Sequence, residues 1–146
     1  MKRWLYIGLM MMSSSAVRAR SNELDASLLH RAQAALTTVI VHDIFSPPVA
    51  SRIYLYANMA AYETALPASN KYVSLANSIT GFPKFQPPTK KVRYDLAAVY
   101  AFMQAGKKFV FSENMLNDSL QVLLKYFRNI DQAVYKNSIE YAQSVV

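Results

Sequence analysis

The chain of 146 residues contains no cysteine. That excludes disulfide frameworks, thiolate metal centres and cysteine nucleophiles. Glycine is nearly as scarce, with only Gly8, Gly81 and Gly106. No glycine-rich phosphate cradle can be built from them, and neither G-x-S-x-G nor H-E-x-x-H occurs. The only histidines are His30 and His42, so a metal site would need carboxylate help. Acidic residues are also few, nine against 16 basic, for a net charge of +7. The basic residues are scattered, and their longest runs are the pairs Lys90-Lys91 and Lys107-Lys108. Such scatter describes a solvated surface and argues against a nucleic-acid partner. No internal repeat or low-complexity tract occurs.

What is present begins with a signal-like segment. Lys2-Arg3 forms a basic start, Trp4 to Met12 an apolar core, and Ser14-x-Ala16 and Val17-x-Ala19 two small-residue cleavage patterns. The apolar run is too short to span a bilayer, so residues 1–19 are expected to be a signal peptide and the protein exported. Cleavage after Ala19 would remove three of the 16 basic residues and lower the net charge from +7 to +4.

Helical patterns follow. Asp25 or Ser27 can cap a first helix reaching about Phe45, with Leu28, Leu29, Ala32, Leu36, Val39 and Ile40 at helical spacing. The β-branched run Thr37 to Val41 also reads as a strand, but no alternating partner strand exists. Ser46-Pro47-Pro48 breaks the pattern and restarts it, because proline suits a first helical turn. Ser46 can cap the second helix, expected from about Pro48 to Leu66. That helix is apolar on almost every side, which predicts burial on all sides. Residues 67–91, with four prolines, form a long segment that either wraps over a larger body or moves freely. A third helix spans about Val92 to Phe111, again without a polar face. Ser112 can cap a fourth, striped by Met115, Leu116, Leu120, Leu123, Leu124 and Phe127. Asp131 can cap a fifth, with Tyr135, Ile139, Ala142 and Val146 at helical spacing. No stop signal follows, so this last helix is expected to be cut in mid-pattern, leaving Val145 and Val146 without a packing neighbour from later sequence. The fold class is therefore an all-α helical bundle, expected to be an incomplete part of a larger helical domain.

Candidate chemistry is sparse. His42-Asp43 reads either as an acid/base or metal pair or as two groups that satisfy backbone or the nearby Arg52 at a buried helix corner. Adjacent helix residues point in different directions, so the corner reading is favoured. His30 does not converge with His42 on one helix face. Tyr54, Tyr56 and Tyr62 could line a ligand pocket, but at this spacing they fit a core better. Arg52 and Glu63 would be costly if buried unpaired, so each is expected to be paired. Asp43, Arg52, Pro47 and Pro48 are thus structural candidates. No catalytic, cofactor-binding or metal-ligating residue is assigned.

The stretch Val41-His-Asp-Ile-Phe-Ser-Pro-Pro-Val-Ala-Ser-Arg-Ile-Tyr54, with Asn58-Met-Ala-Ala-Tyr-Glu63, resembles the N-terminal helical region of bacterial exported proteins of the vanadium-dependent haloperoxidase and type 2 phosphatidic acid phosphatase superfamily. Asp95-Leu-Ala-Ala-Val-Tyr-Ala-Phe102 and Phe109-Val-Phe-Ser-Glu113 are similar to the next helix of that family. The resemblance covers residues 22–146. It implies an all-helical fold that binds phosphate, or vanadate in its place, and chemistry that is either phosphoester hydrolysis or peroxide-dependent halide oxidation. The family's anion site is made by a Lys followed by Arg-Pro, a Pro-Ser-Gly-His, and an Arg followed six residues later by His.

None of these motifs is intact. The chain has no Arg-Pro dipeptide, and no glycine precedes a histidine. Arg52 and Asn58 imitate the third motif, but an amide cannot replace imidazole as nucleophile or metal ligand. What the resemblance implies is a non-catalytic N-terminal helical scaffold, residues 20–146, with the catalytic half absent. Its partner would be the missing C-terminal helical half, or a second copy. No cofactor is expected in this chain, with vanadate or phosphate reserved for a full-length relative. The alternative is a self-contained exported helical binding module. A membrane-spanning reading is disfavoured because Arg52, Asn58 and Glu63 interrupt the second helix.

Overall fold

A computed structural model of the chain describes residues 26–146. The expected signal peptide and the capping candidate Asp25 lie outside the described residues. Five α-helices account for most of the described chain: α1 (Ala26–His42), α2 (Pro47–Ala65), α3 (Tyr94–Lys107), α4 (Glu113–Leu124) and α5 (Gln132–Val145). Short 3-10 turns occur at Leu66–Ala68, Leu75–Asn77 and Lys125–Phe127. No strand occurs among the described residues, so the all-α expectation holds and Thr37 to Val41 is helical.

α3 is the central helix. Leu96, Ala97, Ala98, Val99, Ala101, Phe102, Met103, Ala105 and Gly106 are all buried. A helix apolar all round must be surrounded, and α1, α2, α4 and α5 all pack on it. Its small residues let those neighbours come close. A Cβ on Gly106 would lie 3.2 Å from a Leu36 methyl of α1, tighter than ordinary contact. α1 contributes Leu28, Ala32, Leu36, Val39 and Ile40 to the same core, and α4 contributes Leu116, Leu120 and Leu123. These are the stripes expected from spacing.

α2 departs from expectation. Ile53, Ala57, Ala61, Glu63 and Thr64 are buried, but Ser51, Arg52, Leu55 and Tyr56 are exposed. An apolar circumference therefore does not mean full burial within the described residues. α5 also differs. Its buried stripe is Ser138, Tyr141, Ala142 and Val145, whereas Tyr135, Ile139 and Val146 are half-buried. Val145 packs in a small cluster with Ala97, Ala101, Tyr141 and Ala142, all earlier in the chain. Burial, with Tyr94 and Glu63 adding negative charge nearby, pushes the Tyr141 phenol up to about 12.

The long connection between α2 and α3 wraps over α2. Glu63, although buried, is satisfied without any cation. Its carboxylate accepts from Ser74 Oγ at 2.9 Å and from the Leu75 backbone N–H at 2.7 Å. Tyr62 Oη donates to the Val73 carbonyl at 2.7 Å, fixing the same segment. Farther on, Ser138 Oγ accepts from the Arg93 N–H at 2.8 Å, tying the entry of α3 to α5. Arg93 also grips Asp95 with two guanidinium nitrogens, and this hydrogen-bonded pairing raises the Arg93 pKa. Asp95 lies in the first turn of α3, where a negative charge is favoured.

Phe102 is fully buried on α3 among these layers. Phe102→Ala is expected to destabilise the fold by about 3–5 kcal/mol, as large-to-small changes in a packed core do. Urea unfolding followed by circular dichroism measures it.

Candidate functional site

The α1–α2 corner holds all four structural candidates. α1 ends three residues earlier than its periodicity predicts. The Phe45 N–H bonds the Ile40 carbonyl and the Ile44 N–H bonds the Val41 carbonyl, both at 3.2 Å. This is a Schellman closure, whose turning residue must adopt the left-handed conformation, normally as glycine. Here that residue is Ile44, at φ 56°. A β-branched side chain there is strained. Phe45 folds back onto the core and stacks on Phe111 with ring centroids 5.0 Å apart.

Pro47 and Pro48 occupy the first two positions of α2. They carry no N–H, so the first orphan donor is Val49, which bonds the Ser46 carbonyl at 3.0 Å. Ser46 therefore sits at the cap position but makes no side-chain capping bond. Its hydroxyl is redundant there because proline has removed the donors it would serve.

Asp43 reaches across the bundle. One carboxylate oxygen accepts from the backbone N–H groups of Phe111, at 2.7 Å, and Ser112, at 3.0 Å. The other accepts from Ser112 Oγ at 2.5 Å and lies 3.1 Å from His42 Nδ1. The Ser112 hydroxyl, followed by the Ser112 N–H, His42 and the Phe111 N–H, holds the carboxyl well below the usual aspartate range. Ser112 precedes α4 but does not cap it with its side chain, because its hydroxyl is committed to Asp43. Asp131 does cap α5 as expected, accepting from the Val134 N–H at 3.0 Å.

Arg52 is not the partner of Asp43. It is exposed and pairs with no carboxylate among the described residues. The expected Asp43–Arg52 pair is thus corrected: backbone N–H groups and a serine hydroxyl satisfy the carboxylate, and Arg52 projects from the outer face of α2. The expected pairing of Glu63 holds, but with Ser74 and Leu75. Nothing in the spacing around His42-Asp43 points to Ser112, which is 69 residues away.

Serine, histidine and aspartate meet here, yet not as a nucleophilic triad. His42 Nδ1 faces both Ser112 Oγ and Asp43 Oδ1 at 3.1 Å, whereas a relay needs one ring nitrogen for each. The serine proton goes to the carboxylate, and both nearby N–H donors are taken by Asp43. Vanadate or phosphate does not fit this corner either, since a carboxylate already occupies the anion-holding N–H groups. No group of three His, Asp or Glu side chains that could hold a metal occurs among the described residues. His30 is exposed about 18 Å along α1 from His42, at 1.5 Å per residue.

Beside the corner lies an apolar groove of about 520 Å3 between α2, residues 79–85 and the ends of α3 and α5. Tyr56, Phe82, Phe85 and Phe109 line it, and Tyr56 stacks on Phe109 at 5.1 Å. Lys108 stands at its edge, donating to the Val146 carbonyl at 2.5 Å. No described helix is long and apolar enough to cross a membrane.

No family model and no curated protein matches the chain. Among solved structures it is similar to a protein described as the first bacterial vanadium-dependent iodoperoxidase, known from its crystal structure. The two share 36% identity, with a TM-score of 0.76 over 82% of this chain and 29% of that one. The chain is a relative of the vanadium haloperoxidases. It spans less than a third of the iodoperoxidase it matches. The haloperoxidase resemblance of the sequence is therefore matched by a likeness in three dimensions.

Two measurements follow from the corner. The lowered Asp43 pKa gives stability that is present above the unfolded aspartate value near 3.8 and is lost as pH falls through the folded value. The unfolding midpoint should drop below about pH 4. Asp43→Asn should lower stability at pH 7 and flatten that acid slope, whereas Arg52→Ala should stay within about 0.5 kcal/mol of the parent. Ile44→Gly, relieving the left-handed strain at an exposed site, is expected to stabilise by on the order of 1 kcal/mol in the same titration.

Proposed function

We propose that this chain is a non-catalytic helical scaffold of a vanadium haloperoxidase-like protein, corresponding to the N-terminal part of that fold. One observation carries the reading: the likeness to the iodoperoxidase takes in 82% of this chain but 29% of the other. Support comes from the sequence, where the Arg-Pro, Ser-Gly-His and Arg-x5-His elements of the family's anion site are not intact. The Asp43 corner also binds its own carboxylate where an anion would need free donors. Of the buried polar groups, Glu63 and Ser138 fasten segments of the bundle together, while Thr64 and Asp95 are satisfied by neighbours in sequence. In this reading the protein is exported by residues 1–19. Whole-protein chemistry, whether halide oxidation or phosphoester hydrolysis, belongs to residues outside this chain.

The test is direct. The purified 146-residue chain should neither oxidise iodide with peroxide and vanadate nor hydrolyse an aryl phosphate, and vanadate should keep its free-solution NMR line on titration with the protein. Turnover that survives repurification, or a broadened vanadium line reversed by phosphate, would overturn the scaffold reading in favour of an active site within these helices.

A further inference from the structure

One end of the bundle carries apolar side chains that no described residue covers. Ile44 is 89% exposed and Phe111 81%, although the backbone at both is fixed by Asp43 and the Schellman closure. Apolar side chains on the outer stripe of α2 and on Phe109 are exposed as well. Leu55 is 54% exposed, and Tyr56 and Phe109, stacked on each other, are more than a third exposed. Two ring stacks, Phe45 on Phe111 and Tyr56 on Phe109, thus fix a rigid aromatic edge rather than a loose loop.

The charge on this edge is one-sided. Asp43, the carboxylate at the corner, is turned inward and consumed by Ser112 and the Phe111 N–H. Arg52 lies one turn from Tyr56 on the same stripe and has no carboxylate partner among the described residues. Exposed apolar side chains with cations at their margin, Arg52 on α2 and Lys108 beside Phe109, suit a partner that is apolar at its centre and acidic at its rim.

We propose that Ile44, Leu55, Tyr56, Phe109 and Phe111, with Arg52 at the edge, form the surface on which the remainder of the haloperoxidase fold docks, through an apolar helical face bearing a carboxylate opposite Arg52. The proposal rests on the scaffold reading and on the fact that 71% of the iodoperoxidase chain lies outside the match. The strained Ile44 turn then has a role, since it aims an aliphatic side chain outward where glycine would offer none.

The experiment is a full-length chimera in which residues 26–146 replace the matched segment of the iodoperoxidase, compared with the 146-residue chain alone. Phe111→Asp and Tyr56→Asp are placed in both, with Lys136→Asp on α5 as a surface control. In the chimera each aspartate should cause at least a tenfold loss of monodisperse protein by light scattering, and the control should not. In the chain alone the same substitutions should reduce self-association and leave helical circular dichroism unchanged. A monodisperse chimera indifferent to both aspartates overturns the docking face while leaving the scaffold reading intact. A parent chimera that does not fold overturns the scaffold reading and the proposal with it. If the chain alone sediments with phosphatidylglycerol vesicles and the aspartates abolish this while sparing the chimera, the face serves a lipid surface and the proposal is likewise overturned.

Discussion

A single carboxylate joins the two turns at one end of this bundle. Asp43 leaves the end of α1 and binds the backbone and hydroxyl of the turn that starts α4, 69 residues later. A carboxylate accepting from several N–H and O–H donors is stabilised as the anion, and each donor is stabilised in return. The consequences spread outward from that contact. It fixes where α1 stops, how Ile44 and Phe45 turn, and where Phe111 stands. It also leaves Ser112 unable to cap its own helix. No lysine or arginine is needed, so the corner avoids the desolvation cost of a buried ion pair.

The second constraint is the small-residue surface of α3. Ala97, Ala98, Ala101, Ala105 and Gly106 put backbone close to neighbouring helices, and Phe102 and Met103 fill the space between layers. Four helices suffice to enclose one. They do not suffice to enclose α2 as well, which keeps Leu55 and Tyr56 in solvent. The two helices have similarly apolar sequences but different fates, because only one can occupy the centre of five.

Much of this architecture was legible in the sequence, and what was not has identifiable causes. Pro47-Pro48 marked the start of α2 to within a residue, since a prolyl ring rules out most other local geometries. The α1 and α4 stripes read correctly because each helix buries one face and leaves the other to solvent. The α5 stripe is right at Ala142, but its centre lies on Ser138, Tyr141 and Val145 rather than on Tyr135, Ile139 and Val146. Ser138 is buried because Arg93 needs its hydroxyl, and hydrophobic periodicity carries no such information. The particular partners of Asp43 and Glu63 are hidden for a related reason. Each carboxylate is satisfied by backbone N–H groups and a serine hydroxyl from a distant segment, and neither leaves a mark in the local pattern. Arg52 looked like the natural counter-charge because cations are visible as letters and amides are not. The family likeness was legible, carried mainly by the corner itself.

That the corner should carry the likeness has a physical basis. It combines an uncommon set of demands: a proline pair that opens a helix, a left-handed turn, a carboxylate that must reach another turn, and two ring stacks. Each is costly to change alone, because altering Asp43 strands the Ser112 and Phe111 donors, and moving the prolines restores N–H groups that Ser46 would then have to satisfy. The Ser112–His42–Asp43 contact illustrates how such a set can mimic catalysis. Its members are within hydrogen-bonding distance, but every donor already has an acceptor and both contacts fall on one ring nitrogen. A catalytic site keeps donors free for charge that develops during reaction. This one has none to spare among Ser112 and the neighbouring N–H groups, and that completeness is what makes it a rigid joint.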